Sequence, residues 1–257
     1  MYKRVTLVTG ASQGIGRVIA GSFAAEGDAI VLAARNTDNL EEVAGDIRTL
    51  GGEALVVTTD VTNPESVSAA VATGISEYGR LDGVVANSGI GGPRGVLWEL
   101  DPDEWDETFN VNVKGVFLTA RAAIPSMIEQ GQGTFTIIGS ISGKRPLHGR
   151  TAYTSTKSAL VGLTRTLATE AGAHGVRVNL ISPGFVAGPR FEWVIDAQAK
   201  ARGMTPDAVR SEFESESPLG RLTSPYDIAD AAVYLASEQA AGITGADLNV
   251  NAGVVMY

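Results

Sequence analysis

The chain has 257 residues, no cysteine, two histidines and a formal net charge of −9. Without cysteine it has no disulfide, thiolate ligand or cysteine nucleophile, and two histidines offer little for a multi-histidine metal centre or a Ser-His-Asp triad. The charge argues against a protein that wraps nucleic acid, the first apolar stretch is too short for a signal peptide, and no run approaches the roughly 20 residues of a membrane span. We therefore expect a cytoplasmic globular protein without a metal and without nucleic-acid or membrane partners.

Short β-branched runs alternate with longer segments of helical periodicity. In chain order, strands are predicted near residues 5–8, 29–33, 54–58, 81–86, 134–138, 176–181 and 247–250. Helices are predicted between them, including a long one near 103–128 and one that starts near Ala152. This alternation is typical of βαβ units. It predicts one α/β domain over 1–257, a doubly wound Rossmann-type fold with about seven mostly parallel strands and helices on both faces. A closed (β/α) barrel is the alternative.

A glycine-rich turn follows the first strand directly and opens the first helix. Glycine lets the backbone approach a pyrophosphate, and the helix N-terminus stabilises its charge. Many glycine-rich strings are ordinary turns, but a position between a strand and a helix indicates a dinucleotide site and argues for the open sheet. The expected cofactor contacts in this turn are Gly10, Ser12, Gln13, Gly14, Ile15 and Gly16.

The end of the second strand indicates which dinucleotide binds. An NAD site usually has Asp or Glu there for the ribose 2′-hydroxyl, whereas this chain has Ala34 followed by Arg35. A guanidinium can pair with a 2′-phosphate, although Arg35 can also be a solvated residue after a strand. The missing acid and the arginine together predict NADP, with NAD as the alternative.

Tyr153 and Lys157 are four residues apart in a predicted helix, so both project from one face. An ammonium beside a phenol favours the phenolate, which makes tyrosine useful as an acid or base. Alone, this spacing usually means a surface lysine beside an aromatic ring. Here it follows the fifth strand at the carboxyl edge of the sheet, where ligands bind. Ser140 ends that strand and Asn87 follows the fourth, so we expect all four side chains at one site.

The motifs occur in a fixed order along nearly the whole chain. They are Thr9 to Gly16, Asp60-Val61, Asn87-x-Gly89, Asn112, Ser140, Tyr153 with Lys157, and Pro183-Gly184. With this set the sequence resembles the short-chain dehydrogenase/reductase family, in its main single-domain branch with 3-oxoacyl-reductase-like members. The resemblance implies hydride transfer between an alcohol and a ketone or aldehyde. It also implies a homotetramer with the tail at 245–257 near an interface.

The same resemblance implies residue roles. Tyr153 is the general acid in reduction and the base in oxidation, Ser140 polarises the reacting oxygen, and Lys157 binds the nicotinamide ribose. Asn112 is expected to hold a water that connects Lys157 to solvent. Further cofactor contacts are expected from Asp60, Val61, Asn87, Gly89, Pro183, Gly184 and Val186. Gly188 replaces a threonine that often contacts the nicotinamide carboxamide, which leaves that contact to backbone or loop groups.

The segment 185–217 is predicted to be a substrate lid with one helix near 191–201 and a second ending near Ser215. Arg190, Phe191 and Trp193 are its candidates for facing the substrate. Only one of the two aromatic residues is expected to do so, and both can instead pack the lid. Arg94, His148 and Arg150 are further candidates. With Lys144 and Arg145 they form a basic cluster that suggests a carboxylate, sulfonate or acyl-carrier substrate, with ordinary surface charge as the alternative.

Two other functions are open as alternatives. A non-catalytic dinucleotide-binding sensor would have little use for Ser140, Tyr153 and Lys157 together. An epimerase or dehydratase on the same fold also uses the Tyr/Lys pair, but such relatives usually have a different glycine spacing and a longer carboxyl-terminal domain. The sequence therefore predicts an NAD(P)H-dependent oxidoreductase acting on a small molecule.

Overall fold

The computed structural model describes residues 2–257 and contains a single parallel sheet of seven strands in the order β3-β2-β1-β4-β5-β6-β7. The strands are β1 (Val5–Thr9), β2 (Ala29–Ala34), β3 (Glu53–Thr58), β4 (Gly83–Ala86), β5 (Gly133–Ile138), β6 (Val176–Pro183) and β7 (Asp247–Val250). Every pairing between neighbours is parallel. The predicted doubly wound Rossmann-type fold is confirmed, and the closed barrel is excluded.

Helices cover both faces of the sheet. They are α1 (Gly14–Ala25), α2 (Thr37–Thr49), α3 (Pro64–Tyr78), α4 (Pro102–Phe109), α5 (Gly115–Gln130), α6 (Thr151–Gly172), α7 (Pro189–Arg202), α8 (Pro206–Ser215) and α9 (Pro225–Ala236). The single long helix predicted near 103–128 is divided, because residues Asn110–Lys114 form one turn of π-helix between α4 and α5. Hydrophobic periodicity does not reveal such a turn, which adds one residue without ending the helix.

The sheet is hydrophobic on both faces, as expected for parallel strands covered by helices. Successive residues of β1 alternate between two cores. Leu7 belongs to the core that includes Met127 of α5 and Leu160 of α6. Val8 belongs to the core that includes Phe23 of α1 and Ile228 of α9. Because both faces are filled, the exposed carboxyl edge of the sheet is where ligands can bind.

An ion pair joins the loop after β5 to strand β7. Lys144 Nζ lies 3.0 Å from Asp247 Oδ2, and the two side chains are only 11% and 10% exposed. The ammonium also donates to Asn249 Oδ1 at 2.6 Å, while Ser182 Oγ donates to Asp247 Oδ1 at 2.6 Å. This network connects the loop that carries Ser140 to the last strand.

Within residues 2–257, no helix combines the length and the apolar character that crossing a membrane requires. The same residues contain no group of three or more His, Cys, Asp or Glu side chains placed to hold a metal ion.

Candidate active site

A cleft of about 2050 Å³ runs along the carboxyl edge of the sheet. Its lining comes from the loops that follow β1 to β6 and from the start of α7. Pockets for single small ligands usually measure ~300–1,000 Å³, so this cleft has room for a dinucleotide and a substrate together.

The glycine turn forms one wall of the cleft with exposed backbone. Gly10 and Gly14 have φ angles of +66° and +57°, which side chains rarely adopt. A Cβ at Gly16 would lie 2.2 Å from the carbonyl oxygen of Gly10 and 2.5 Å from Asn87 Nδ2, so only glycine fits there. The Gln13 side chain does not cap α1, and the first turn of α1 has no acidic residue. The N–H groups at this positive helix end are therefore available to an anion, and the turn fits a pyrophosphate.

The opposite end of this wall carries Arg35, which is exposed and follows β2 directly. Arg35 has no ion pair with any residue from 2 to 257, whereas nearby Arg17 is held by both Glu42 and Asp46. Asp60 also lines the cleft. Hydrogen bonds from the N–H and the hydroxyl of Thr62, with a smaller effect of the Arg35 charge, lower the pKa of Asp60.

Ser140, Tyr153 and Lys157 all line the cleft. Lys157 Nζ donates to the carbonyl oxygen of Ile138 at 2.9 Å and lies 5.7 Å from the centroid of the Tyr153 ring. Burial lowers the pKa of Lys157, and the neighbouring Tyr153 opposes that shift. Ser140 Oγ accepts a hydrogen bond from the N–H of Ser142 at 3.1 Å, so its own hydroxyl hydrogen remains free to donate.

Two asparagines hold the loop that follows β4. Asn87 Nδ2 donates to the carbonyl oxygen of Thr9 at 3.0 Å, which ties this loop to the glycine turn. Asn112, in the π-turn, accepts from the N–H of Ile90 at 2.8 Å and donates to its carbonyl oxygen at 2.9 Å. Its Nδ2 also donates to Thr156 Oγ1 at 3.1 Å. The water expected at Asn112 stays a prediction.

Most of the other residues selected from the sequence also border this cleft. Val61, Asn87, Gly89, Pro183, Gly184 and Val186 line it, as do Arg94, His148, Arg150, Arg190 and Phe191. Asn112 and Trp193 do not. Asn112 instead sits directly behind Gly89, where a Cβ would lie 3.3 Å from Asn112 Oδ1.

The segment after β6 contains the two helices expected there, α7 and α8, held by a small core of its own around Ile195, Ala199 and Val209. Phe191 faces the cleft and stacks on Phe185 with ring centroids 5.7 Å apart. Trp193 points elsewhere and is 59% exposed, with the guanidinium of Arg94 4.9 Å above its ring. One of the two aromatic residues thus faces the cleft.

The basic cluster expected between Ser140 and Tyr153 does not form as a unit. Lys144 turns away from the cleft to pair with Asp247, because that buried carboxylate needs a cation. Arg145 lines the cleft but is bound to Glu216. Of the arginines considered for substrate binding, Arg94, Arg150 and Arg190 line the cleft without an ion pair to a carboxylate of residues 2–257.

Comparisons with known proteins agree with this geometry. A family model described as enoyl-(acyl carrier protein) reductase matches residues 10–255. The short-chain reductase protein NovJ of Streptomyces niveus is 38% identical over 249 residues, which cover 97% of this chain and 93% of NovJ. The chain belongs to the short-chain dehydrogenase/reductase family. It is therefore an oxidoreductase of the nicotinamide-dependent short-chain type.

Two solved structures extend the family resemblance over the whole chain. A single-residue variant of actinorhodin polyketide ketoreductase with NADPH is 30% identical, with a TM-score of 0.94 and complete coverage of both chains. A xylitol dehydrogenase with bound NAD⁺ is 29% identical, with a TM-score of 0.93 and coverage of 98% of this chain and 99% of that one. Short-chain dehydrogenases of this shape therefore use either cofactor.

Sequence reasoning did not single out Gly91, which contacts two arginines that line the cleft. Its carbonyl oxygen accepts from Arg150 Nη2, and a Cβ at this position would lie 2.7 Å from Arg190 Nη2. The pair Gly91-Gly92, which follows the Asn-x-Gly motif after Ile90, was the available signal. The local sequence does not show which side chains approach Gly91, because Arg150 and Arg190 lie 59 and 99 residues further along the chain.

Proposed function

We propose that the protein is a cytoplasmic, NADP(H)-dependent oxidoreductase that interconverts an alcohol and a ketone or aldehyde on a small molecule with an anionic group. The observation that carries the proposal is the convergence of Ser140, Tyr153 and Lys157 in the cleft that the glycine turn borders. A nicotinamide cofactor, when bound, supplies or accepts the hydride. The protein's own residues bind, orient and move the proton.

Proton transfer is assigned to Tyr153. In reduction its hydroxyl protonates the carbonyl oxygen, and in oxidation the phenolate takes the alcohol proton. Ser140 donates its free hydroxyl hydrogen to the same oxygen and stabilises the charge that develops there. The Lys157 ammonium stabilises the phenolate. One of its three hydrogens is held by Ile138, which leaves two for the ribose hydroxyls of the cofactor.

NADP is favoured because Arg35 is exposed at the cleft, unpaired within residues 2–257, and directly follows Ala34, the position where an NAD site usually has an acid. The N-terminus of α2, which lines the same end of the cleft, adds a positive dipole. The competing observation is Asp38, a carboxylate in the first turn of α2 that also lines this end. It is the group that would bind ribose hydroxyls if NAD were the cofactor.

Replacing Arg35 with alanine is expected to weaken NADPH binding about 10- to 100-fold, the value of a hydrogen bond to a charged group. NADH binding is expected to be nearly unchanged. Nucleotide fluorescence titration of the wild type and the variant measures both. Arg121→Ala, which removes an exposed arginine on α5 away from the cleft, is the control. Tighter NADH binding that is insensitive to Arg35 and lost in Asp38→Asn would instead assign NAD.

We also propose that the enzyme is a homotetramer. Support comes from apolar side chains in the carboxyl-terminal tail, where Met256 and Tyr257 are 76% and 77% exposed in the single chain. Light scattering after size-exclusion chromatography is expected to give four times the chain mass of 26.7 kDa. A mass equal to that of one chain would contradict the proposal.

A further inference from the structure

The guanidinium groups of two residues that line the cleft, Arg150 and Arg190, converge on Gly91. A Cβ at Gly91 would lie 2.7 Å from Arg190 Nη2 and 2.8 Å from Arg150 Nη2, so these two nitrogens are no more than about 5.5 Å apart. Arg190 lies in the first turn of α7, and Arg150 directly precedes α6. Two elements separated in the chain therefore bring like charges together at a glycine that leaves space between them.

This convergence has no internal counterion. Among residues 2–257 neither arginine forms an ion pair with a carboxylate, although 11 ion pairs exist elsewhere. The nearest acid in sequence, Glu192, is bound to Arg210 instead. Arg150 is half-buried and Arg190 is exposed, and a bound anion would offset the repulsion between their like charges.

Arg150 also lacks a hydrogen-bond partner for one of its buried nitrogens. Its Nη2 donates to the carbonyl oxygen of Gly91, but its Nε is buried and has no partner. Burial, followed by the repulsion of Arg94 and Arg190, lowers the pKa of this guanidinium. A bound anion would supply the missing acceptor and the missing negative charge together.

Arg150 also lies close to Tyr153. Its Cζ lies 5.3 Å from the centroid of the Tyr153 ring, so the guanidinium is stacked beside the residue assigned to proton transfer. An anion bound by Arg150 and Arg190 would therefore lie on the same side of the cleft as the Tyr153 ring, which favours a short separation between the anion and the reacting carbonyl.

We propose that Arg150, Arg190 and Gly91 form an anion pocket for short 2- or 3-hydroxy acids and their oxo forms, with a carboxylate or sulfonate one or two carbons from the reacting carbon. This inference rests on the proposed function and adds the substrate class. In reduction, hydride from the nicotinamide cofactor goes to the carbonyl carbon and the Tyr153 proton goes to its oxygen. The products are the hydroxy acid and the oxidised cofactor.

The other basic groups near the cleft are assigned no part in this pocket. Arg94 lies on the exposed Trp193 ring, Arg145 is bound to Glu216, and Lys144 is bound to Asp247. His148 lines the cleft but forms no hydrogen bond with Arg150 or Arg190. Arg121, exposed on α5 and away from the cleft, offers a control, because its replacement removes one positive charge without altering the pocket.

The first experiment measures kcat/KM for methyl ketones whose carboxylate stands one to five carbons from the carbonyl, and for their neutral methyl esters. Each is assayed with both NADPH and NADH, so that cofactor preference does not affect the outcome. The 2- and 3-oxo acids are expected to exceed their esters by at least 10-fold, and this advantage is expected to disappear in the longer acids. Equal values for acid and ester, or an optimum at the longest acid, would overturn the inference.

The second experiment compares Arg190→Gln, Gly91→Ala and the control Arg121→Gln. Loss of one guanidinium is expected to raise KM for the short acids about 10- to 100-fold and to leave the esters within threefold. Gly91 lacks a positive φ, so its alanine variant adds a methyl group between the guanidiniums without backbone strain. It is expected to act in the same direction, and Arg121→Gln is not. Equal effects on acid and ester, or an effect of Arg121→Gln as large as that of Arg190→Gln, would overturn the inference.

A third readout needs no turnover. Calorimetric titration of the protein with the short oxo acids is expected to show binding that Arg190→Gln weakens and Arg121→Gln does not. Absence of binding would overturn the pocket. Failure of every ketone, neutral or acidic, to oxidise either cofactor would overturn the proposed function itself, whereas turnover of esters without preference for acids would overturn only the pocket.

Discussion

Replacing Tyr153 with phenylalanine is expected to lower kcat by about 10²- to 10⁴-fold, because the variant keeps the ring but loses the only proposed proton donor. The ring still contacts the Arg150 guanidinium, and Lys157 keeps its hydrogen bond to Ile138. Cofactor affinity is therefore expected to stay within threefold of the wild type. Single-turnover reduction followed by cofactor absorbance measures the chemical step, and fluorescence titration measures binding.

The matched control is Tyr226→Phe, which removes the hydroxyl of a tyrosine that is 64% exposed at the start of α9. It is expected to leave kcat unchanged. Turnover by Tyr153→Phe at a rate near that of the wild type would contradict the assignment of proton transfer to Tyr153. Loss of cofactor binding in the same variant would show that the Tyr153 hydroxyl also contributes to the cofactor site.

Replacing Lys144 with methionine is expected to lower the free energy of unfolding by about 3 kcal/mol, because it leaves Asp247 buried without its cation. Urea unfolding at one fixed protein concentration measures the change. The double variant Lys144→Met/Asp247→Leu is expected to be less destabilised than Lys144→Met alone, because replacing both charges removes the unpaired carboxylate.

The control is Lys3→Met, whose partner Glu26 lies at the surface with both side chains at least half exposed. An exposed pair of this kind contributes about 0–1 kcal/mol. If Lys144→Met cost no more than Lys3→Met, the pair with Asp247 would have no special role in holding the loop that carries Ser140.

The fold was predictable because its signals are local. Each strand is a short apolar run, each helix has its own periodicity, and the glycine turn lies between the first strand and the first helix in the sequence itself. The pair Tyr153 and Lys157 was predictable for the same reason, since helical spacing places both on one face.

Features that depend on partners distant in the chain were not predictable. The sequence predicts Lys144 as part of a basic cluster. In the structure it pairs with Asp247, which lies 103 positions further along the chain. The π-turn at residues 110–114 leaves no trace in the hydrophobic pattern. The contacts of Gly91 with Arg150 and Arg190 form only in the folded chain, because the two arginines approach it from two other elements. Such contacts are a property of tertiary packing and not of local composition.

The two hydrogen bonds between Asn112 and Ile90 bear on how this enzyme can change its specificity during evolution. Ile90 lies between Gly89, which packs against Asn112 and Lys157, and Gly91, which separates the two guanidiniums. A shift of this tripeptide that reshaped the anion pocket would therefore also disturb the lysine used in proton transfer. Arg150 donates a hydrogen bond to Gly91, whereas substitution of Arg190, which comes from α7, removes no hydrogen bond of the tripeptide. New substrates are consequently more accessible to this scaffold through exchange of position 190 than through remodelling of the loop after β4.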